Sequence, residues 1–297
     1  MSCAIGIDLG GTNIKGLTVT PEGKVLARFS ARTHGGAGDW KNQVRAVVSR
    51  LEKLCGGEAE WTGVAAPGLA ARDQRSISYM PGRLPGLEGL DWKRHLGRSH
   101  PVPVLNDAHA ALLGEAWLGA ARNTRNAILL TLGTGVGGAA LVDGRLLRGE
   151  IGRAGHLGHV SLDPHGVADI TGTPGSLEDA IGDCTIARRS EGKFRSTAKL
   201  VEAVRRGDVA AKRVWEESVR NLAAALAGLI NVLDPEVVVI GGGIAQAGRT
   251  LFRPLAAHLN RFEWRPGGHK ARVVAARLGE EAGAFGAAWN AIHSGAG

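Results

Sequence analysis

Apolar and glycine positions along the chain form an approximate internal repeat. Residues 5–19 and residues 128–142 each run from an apolar strand through a Gly/Thr turn into a second apolar strand. Each segment then reaches a tight glycine turn, Pro21-Glu22-Gly23-Lys24 in the first and Val142-Asp143-Gly144-Arg145 in the second. The repeat therefore predicts two similar three-stranded meanders.

Apolar residues at helical intervals follow each meander. In 44–54 the apolar residues recur at helical intervals until Gly56-Gly57, and this pattern predicts an amphipathic helix. Other segments predict further helices (about 108–117, 218–233 and 282–292) and further strands (62–66, 102–105, 236–240 and 273–274). The whole indicates an α/β fold of two lobes, each a mixed sheet with helices. We expect the first lobe to span residues 1–118, joined by a C-terminal helix at 282–297, and the second to span 119–281.

Composition narrows the class of protein. The 297 residues are enough for two α/β lobes, and no apolar run reaches the ~18 residues of a membrane helix. The first seven residues lack the basic start of a signal peptide, and Cys3, Cys55 and Cys184 lie too far apart to predict a disulfide framework or metal set. We therefore expect a cytoplasmic protein. The net charge of +8 comes from dispersed arginines, which favours a solvated basic surface over a nucleic-acid surface.

Three glycine-rich turns are candidate phosphate or nucleotide contacts. Glycine lets the backbone approach an anion, and turn N–H groups bind phosphate oxygens. In the first turn Lys15 is placed to add positive charge, although an ordinary polar hairpin has the same pattern. The second turn contains G-x-G-x-x-G, but the strand-like 139–142 follows where a dinucleotide site requires a helix. The third lies between a strand and a helical segment beginning near Ile244. The alternative to a nucleotide contact there is a glycine turn that only connects the strand to the helix. The candidates are Asp8, Gly10, Gly11 and Thr12; Gly133, Thr134, Gly135 and Gly137; and Gly241, Gly242 and Gly243.

Asn106-Asp107 ends a predicted strand and opens a predicted helix. A carboxylate at the carboxyl edge of a sheet, where ligands of α/β proteins bind, can accept a hydroxyl proton in phosphoryl transfer. A helix N-cap is the alternative role for either residue.

Two histidines in a glycine-rich loop, His156 and His159, are candidate sugar contacts, general bases or metal ligands, or simply surface residues. Glu178 opens a later helical segment, where its charge also suits the helix dipole.

Taken in order, these segments resemble the ROK family of sugar kinases and repressors over nearly the whole chain. The matching segments are Asp8–Asn13, Gly63–Gly68 with its glycine-proline turn, Asn106–Ala108, Leu132–Gly137 and Val239–Gly243. The resemblance implies the actin-like ATPase (ribonuclease H-like) fold, two lobes around a cleft, ATP with Mg²⁺, and homodimers or homotetramers. It implies Asp107 as general base, the three glycine turns with Lys15 as the nucleotide site, and a sugar site formed by Gly68, Asn106, His156, His159 and Glu178.

The chain departs from the family pattern around the sugar. The family's Glu-x-Gly-His motif falls on His156-Leu157-Gly158-His159, so an imidazole replaces a carboxylate. The three cysteines of the family's zinc knot fall on Asp169, Thr171 and Ser176. Where the family commonly has a sugar-binding Asn after a Pro, this chain reads Pro81-Gly82-Arg83. We therefore expect no structural zinc and an unusual sugar preference.

Three other functions remain open at this level. A sugar-sensing regulator of the same family would carry an N-terminal helix-turn-helix, whereas here the first phosphate loop begins near residue 5. A polyphosphate-dependent sugar kinase is consistent with the basic charge and the altered zinc knot. An actin-like assembly ATPase would not need the Asn-Asp and His-x-Gly-His sets.

Overall fold

The computed structural model describes residues 2–34, 40–82 and 84–294. The contacts within the chain divide it into two compact units. The first unit comprises Met1–Asn123, Leu146–Gly155 and Arg277–Gly297, and the second comprises Thr124–Arg145 and His156–Ala276. The lobe boundary near Gly119 stays a prediction.

Strands and helices alternate through both units. The strands in the described residues are β1 Ala4–Leu9, β2 Asn13–Val19, β3 Val25–Arg32, β4 Trp61–Ala66, β5 Leu69–Ala70, β6 Ile77–Tyr79, β7 Val104–Asn106, β8 Ala127–Leu132, β9 Val136–Val142, β10 Arg145–Leu146, β11 Val237–Gly241 and β12 Arg272–Ala275. The α-helices in the same residues are α1 Trp40–Cys55, α2 Trp92–Leu96, α3 Asp107–Leu118, α4 Leu177–Ile181, α5 Ile186–Arg189, α6 Thr197–Arg205, α7 Val209–Leu233, α8 Arg249–Phe262 and α9 Ala282–His293. No helix among the described residues has the length and apolarity that a membrane crossing requires.

The two main sheets have the same design. The first has the strand order β3-β2-β1-β4-β7, with β1 antiparallel to β2 and parallel to β4. The second has the order β10-β9-β8-β11-β12, with β8 antiparallel to β9 and parallel to β11. In each sheet a meander is extended by parallel strands that need helical crossovers. The predicted repeat and the mixed α/β class are confirmed.

Burial explains why the predicted segments form these elements. The apolar residues of β1 and β11 are fully buried, as expected for central strands covered on both faces. Helix α1 buries Val44, Val47, Val48 and Leu51 from one face, and Gly56 follows it with a φ of 80°, in the left-handed region that glycine adopts at low cost.

Helix α9 packs on the first sheet at backbone distance. A Cβ added to Gly6 in β1 would lie 1.8 Å from the Ala284 carbonyl oxygen, and one added to Gly286 would lie 1.6 Å from the Ala110 carbonyl oxygen in α3. Both positions therefore require glycine. The alanine- and glycine-rich 282–292 segment is consequently a close-packing helix, as predicted.

One predicted helix boundary was wrong. Helix α7 begins at Val209 and not at residue 218, because the exposed Asp208 accepts the Ala211 N–H and caps a charged first segment that has little apolar periodicity. The helical segment predicted to begin near Ile244 is a short 3₁₀ helix over Gly243–Ala247, and the α-helix α8 begins after it at Arg249.

Candidate active site

The turn between β1 and β2 is held rigidly by internal hydrogen bonds. The Gly10 N–H donates to the Asn13 carbonyl oxygen at 3.0 Å, and the Thr33 Oγ1 donates to the Gly10 carbonyl oxygen at 2.6 Å. Gly11 and Thr12 are exposed, and within the described residues their N–H groups make no hydrogen bond to the chain. The first turn thus presents two fixed backbone donors, which suits an anion.

The turn between β8 and β9 repeats this arrangement in the second unit. The Gly133 N–H donates to the Gly135 carbonyl oxygen at 2.9 Å, and the Asp183 and Cys184 N–H groups fix the carbonyls of Gly133 and Thr134 at 2.9 and 2.8 Å. In the described part of the chain, the N–H groups of Thr134 and Gly135 have no hydrogen-bond acceptor. Both predicted phosphate turns therefore present a pair of backbone donors.

Asp8, Lys15 and Asp107 lie together in the first unit. Asp8 pairs with Lys15 across the β1–β2 ladder, and the Lys15 Nζ lies 2.6 Å from Glu280 Oε2. Loss of hydration, together with the negative charge of Asp107, raises the pKa of Asp8 to about 7, while Lys15 acts in the opposite direction. A Cβ added to Gly283 in α9 would meet Asp8 Oδ2 at 2.7 Å, so the carboxyl packs against that helix. Two carboxyl groups close enough to repel one another form a natural cation site.

Asn106 is the N-cap of α3. Its Oδ1 accepts the Ala108 N–H at 2.9 Å and the His109 N–H at 3.3 Å, and its Nδ2 donates to the Gly68 carbonyl oxygen at 3.0 Å. The buried Asn106 thereby ties the Pro67-Gly68 turn to the helix. Asp107, the next residue, is exposed, and its Oδ1 also accepts the Ala108 N–H at 2.8 Å.

Glu178 lies against the second phosphate turn. Its Oε2 accepts the Val136 N–H at 2.9 Å, and a Cβ added to Gly135 would come within 2.2 Å of the same oxygen. The short 3₁₀ turn Leu157–His159 packs on the same strand end, because a Cβ at Gly158 would lie 1.8 Å from the Val136 carbonyl oxygen. The His-x-Gly-His turn and Glu178 therefore converge on the start of β9. Arg83, of the Pro81-Gly82-Arg83 segment, is outside the described residues.

Asp169 is the centre of a hydrogen-bond network in the following loop. Its Oδ2 lies 2.7 Å from His159 Nδ1, and its Oδ1 accepts from Thr171 N, Thr171 Oγ1 and Thr173 N at 2.8, 2.7 and 3.0 Å. The Asp169 side chain is fully buried. Burial would raise its pKa, but the bonds from His159, Thr171 and Ser176 outweigh that effect and hold the pKa well below its usual range.

His159, Asp169 and Glu178 each place one potential ligand atom within 4.8 Å of the other two. A carboxylate has about four lone-pair directions, and five donors already surround Asp169. Structural zinc sites are typically built from four cysteine and histidine ligands, and of the three residues here only His159 is of that kind. The residues present here fit a hydrogen-bonded carboxylate better than a zinc ion.

A cavity of about 430 Å³ opens beside the second phosphate turn. Three of the predicted nucleotide contacts, Gly133, Thr134 and Gly243, line it together with Ser196, Thr197 and Gln246, which the sequence analysis did not single out. A Cβ at Gly242, whose φ is 82°, would lie 2.3 Å from the Leu132 carbonyl oxygen, so glycine brings this turn close to β8. Ser196 caps α6 by accepting the Lys199 N–H, so an N-cap pattern was available in the sequence for Ser196, whereas no pattern marked Gln246.

Comparisons with known proteins identify the family of this chain. The ROK family model matches residues 4–294. The chain is 36% identical to a glucokinase of Thermotoga maritima, over 96% of this chain and 95% of that protein. Its structure superposes on a ROK hexokinase of Thermus thermophilus with a TM-score of 0.87, at 32% identity and with 99% and 100% of the two chains covered.

A third relative is a ROK family glucokinase of Streptomyces griseus, solved in complex with glucose and AMPPNP. Its TM-score is 0.81 at 29% identity, with 98% of this chain and 100% of that chain covered. The chain belongs to the ROK family and is a carbohydrate kinase of the actin-like fold.

Proposed function

We propose that the protein transfers the γ-phosphoryl group of ATP to a hydroxyl of a hexose or hexose derivative, with Asp107 as general base. The observation that supports this role is that Asn106 and Asp107 have different environments at the start of α3. Asn106 makes the capping bonds to Ala108 and His109, while Asp107 is exposed at the carboxyl end of β7. The carboxylate is therefore placed for chemistry where ligands of α/β sheets bind.

In the proposed reaction, the sugar hydroxyl gives its proton to Asp107 as its oxygen attacks the γ-phosphorus. The two pairs of turn N–H groups, at Gly11 and Thr12 and at Thr134 and Gly135, are the donors for the phosphate oxygens. Because these donors are fixed before substrate binds, stabilising the charge costs little reorganisation.

Mg²⁺ fits the carboxyl pair of the first unit. Asp8 offers the hard oxygen ligands that Mg²⁺ prefers. Burial and, second to it, the negative charge of Asp107 raise the pKa of Asp8, and a bound cation would offset that charge. When bound, the ion offsets charge on the polyphosphate. Lys15, which is paired with Glu280 at 2.6 Å, adds further positive charge beside Asp8.

The cavity beside Gly241–Gly243 is the proposed nucleoside site. Within the described residues, the buried Thr197 Oγ1 has no hydrogen-bond partner. Thr197 lines the cavity, so a polar atom of a bound nucleoside can complete that bond. This pocket favours ATP over polyphosphate as donor, since polyphosphate has no group to fill it.

The proposed sugar contacts are Gly68, Asn106, His156, His159 and Glu178, and the proposed cofactors are ATP and Mg²⁺ without zinc. Glu178 has lone pairs left beyond its bond to the Val136 N–H, so it can accept sugar hydroxyls. A homodimer or homotetramer and a cytoplasmic location complete the proposal. The thiols Cys3, Cys55 and Cys184 are free, which suits a reducing compartment.

The deciding experiment is a coupled ADP-release screen over hexoses, N-acetylhexosamines and anhydrosugars, with ATP and polyphosphate as alternative donors. With the best sugar, Asp107→Asn should lower kcat by at least ~10²-fold while the sugar Kd changes far less. The matched control is Asp208→Asn, which makes the same change at another helix N-terminus and should leave kcat unaltered. Near-normal turnover in Asp107→Asn would assign Asp107 to the helix and not to catalysis.

A further inference from the structure

The loop that follows His159 is built around one buried charge. Strand-like bonds join its two sides: the Leu162 N–H donates to the Gly175 carbonyl oxygen at 2.8 Å, and the Leu177 N–H donates to the Val160 carbonyl oxygen at 3.0 Å. Between them, the side chain of Asp169 has no exposed surface. Such a carboxylate is tolerated only where hydrogen bonds replace its hydration.

The hydrogen-bond directions around Asp169 fix the proton on His159. An ionised carboxylate only accepts, so at a separation of 2.7 Å the His159 Nδ1 is the donor. In the neutral imidazole the proton is then on Nδ1, and Nε2 is the acceptor. The bond that His159 Nδ1 donates to Asp169 therefore fixes both the tautomer and the orientation of the ring.

The same carboxylate connects this histidine with the rest of the loop. Its Oδ1 accepts hydrogen bonds from the Thr171 N–H, the Thr171 hydroxyl and the Thr173 N–H. The Ser176 hydroxyl, at the start of α4, also bonds to the carboxylate. Ser176 also accepts the Asp179 N–H, and Glu178 lies between these two residues. Asp169 therefore sets the position of His159 relative to Glu178, and all three place ligand atoms within 4.8 Å of one another.

We propose that Asp169 is a positioning residue of the sugar site: its carboxylate holds His159 with the proton on Nδ1, so that Nε2 accepts a hydrogen bond from a sugar hydroxyl. The inference rests on the proposed function in one respect, namely that His159 meets the sugar. The site then offers two acceptors, His159 Nε2 and the Glu178 carboxylate, to two hydroxyls of the substrate. A deoxy or O-methyl sugar at either hydroxyl is a poor substrate, since an acceptor that the bound sugar covers is left unpaired.

The test compares Asp169→Asn with Asp163→Asn. Asp163 is exposed in the same loop, and within the described residues its side chain accepts a hydrogen bond only from the nearby His165 N–H. It is therefore a matched control. Long-range ¹H–¹⁵N spectra of the histidines, assigned with His159→Gln, report the protonated nitrogen. Sugar KM, ATP KM and kcat are measured on the same proteins.

The parent protein should show His159 protonated on Nδ1. In Asp169→Asn the proton should move to Nε2, the sugar KM should rise by about tenfold, and the ATP KM should change less than twofold. Thr171→Val, which removes one donor to Asp169 and leaves the histidine bond, should keep the Nδ1 proton and most of the sugar affinity.

Three results would overturn the inference. The first is an Nε2–H tautomer in the parent, which is decisive even if Asp169→Asn fails to fold. The second is an unchanged sugar KM in a folded Asp169→Asn that phosphorylates sugar. The third is an equal loss in Thr171→Val, which would make Asp169 a loop-ordering residue only. If the parent phosphorylates no sugar, the proposed function fails, while the spectra still report whether Asp169 controls His159.

Discussion

Replacing Asp8 with Asn should stabilise the ligand-free protein, and increasingly so as the pH rises. The Asp8 carboxyl packs against Gly283 and feels the charge of Asp107, and these effects raise its pKa from 3.8 to about 7. Between these two values the unfolded chain has released the proton and the folded protein still holds it. The folded state therefore loses stability relative to the unfolded chain as the pH rises through this interval.

The magnitude follows from the width of the interval. Each pH unit costs about 1.4 kcal/mol, so the loss between pH 5 and pH 7 is about 2–3 kcal/mol, and it stays constant above pH 7. Asn is neutral throughout and is nearly the same size. The difference in the free energy of unfolding, Asp8→Asn minus parent, should therefore grow by about 2–3 kcal/mol between pH 5 and pH 8.

Urea unfolding of nucleotide-free protein at pH 5, 6, 7 and 8 measures this difference directly. Asp163→Asn, on an exposed loop, should follow the parent at every pH. Millimolar Mg²⁺ should stabilise the parent more than Asp8→Asn at pH 8. A difference that does not depend on pH would show that attraction to Lys15 cancels burial and repulsion, and an Asp8→Asn protein less stable than the parent at pH 8 would show that it outweighs them.

Three further outcomes are expected. Gly286→Val should lower the free energy of unfolding by at least ~1–3 kcal/mol in urea titrations, because the new side chain must displace the Ala110 carbonyl; Gly228→Val, in a helix with open space around it, is the control. A triple variant, Asp169→Cys, Thr171→Cys and Ser176→Cys, places three cysteines around His159. Metal analysis after chelator treatment and incubation with zinc should find one zinc ion per chain in this variant and none in the parent. His156→Glu should raise kcat/KM for glucose relative to the native sugar by roughly ten- to a hundredfold, and an unchanged substrate ranking would mean that His156 only packs the loop.

The strands and turns were predictable because their signals are local. The apolar runs of β1 and β8 and the Gly/Thr turns after them have the same pattern, and both form antiparallel hairpins; four residues lie between the pair Leu9 and Ile14, and three lie between the pair Leu132 and Val136. Helix α1 was equally clear, since one face is apolar. In contrast, α8 was missed although its buried residues Leu251, Leu255 and Leu259 recur at helical intervals, because Pro254 within the segment argues against a helix when only the sequence is known.

The contacts of the buried carboxylates were not predictable. Glu115 is one residue in an apolar helix, yet it is fully buried and accepts the N–H groups of Ala120, Arg277 and Leu278. Its partners lie as far as 163 residues away in sequence, and no local pattern connects them. The hydrogen bonds around Asp169 lie within seventeen residues, but sequence alone treats Asp169, Thr171 and Ser176 as absent cysteines and does not show that they bond to one another.

The two phosphate turns show how a duplicated unit acquires two different chemical roles. In each turn the N–H of the first glycine donates a hydrogen bond within the turn, and the next two N–H groups make no hydrogen bond to the described part of the chain. The ability to bind an anion is therefore common to both copies of the repeat. The carboxylates around the turns are not repeated. Asp8 stands beside the first turn with Asp107 near it, whereas Glu178 binds the backbone of the second. Repulsion in the first unit favours a cation and a proton acceptor, whereas Glu178, held in place by its bond from the Val136 N–H, keeps lone pairs for hydrogen bonds to a neutral substrate. Exchange of the turn residues between units should therefore be tolerated far better than exchange of these carboxylates.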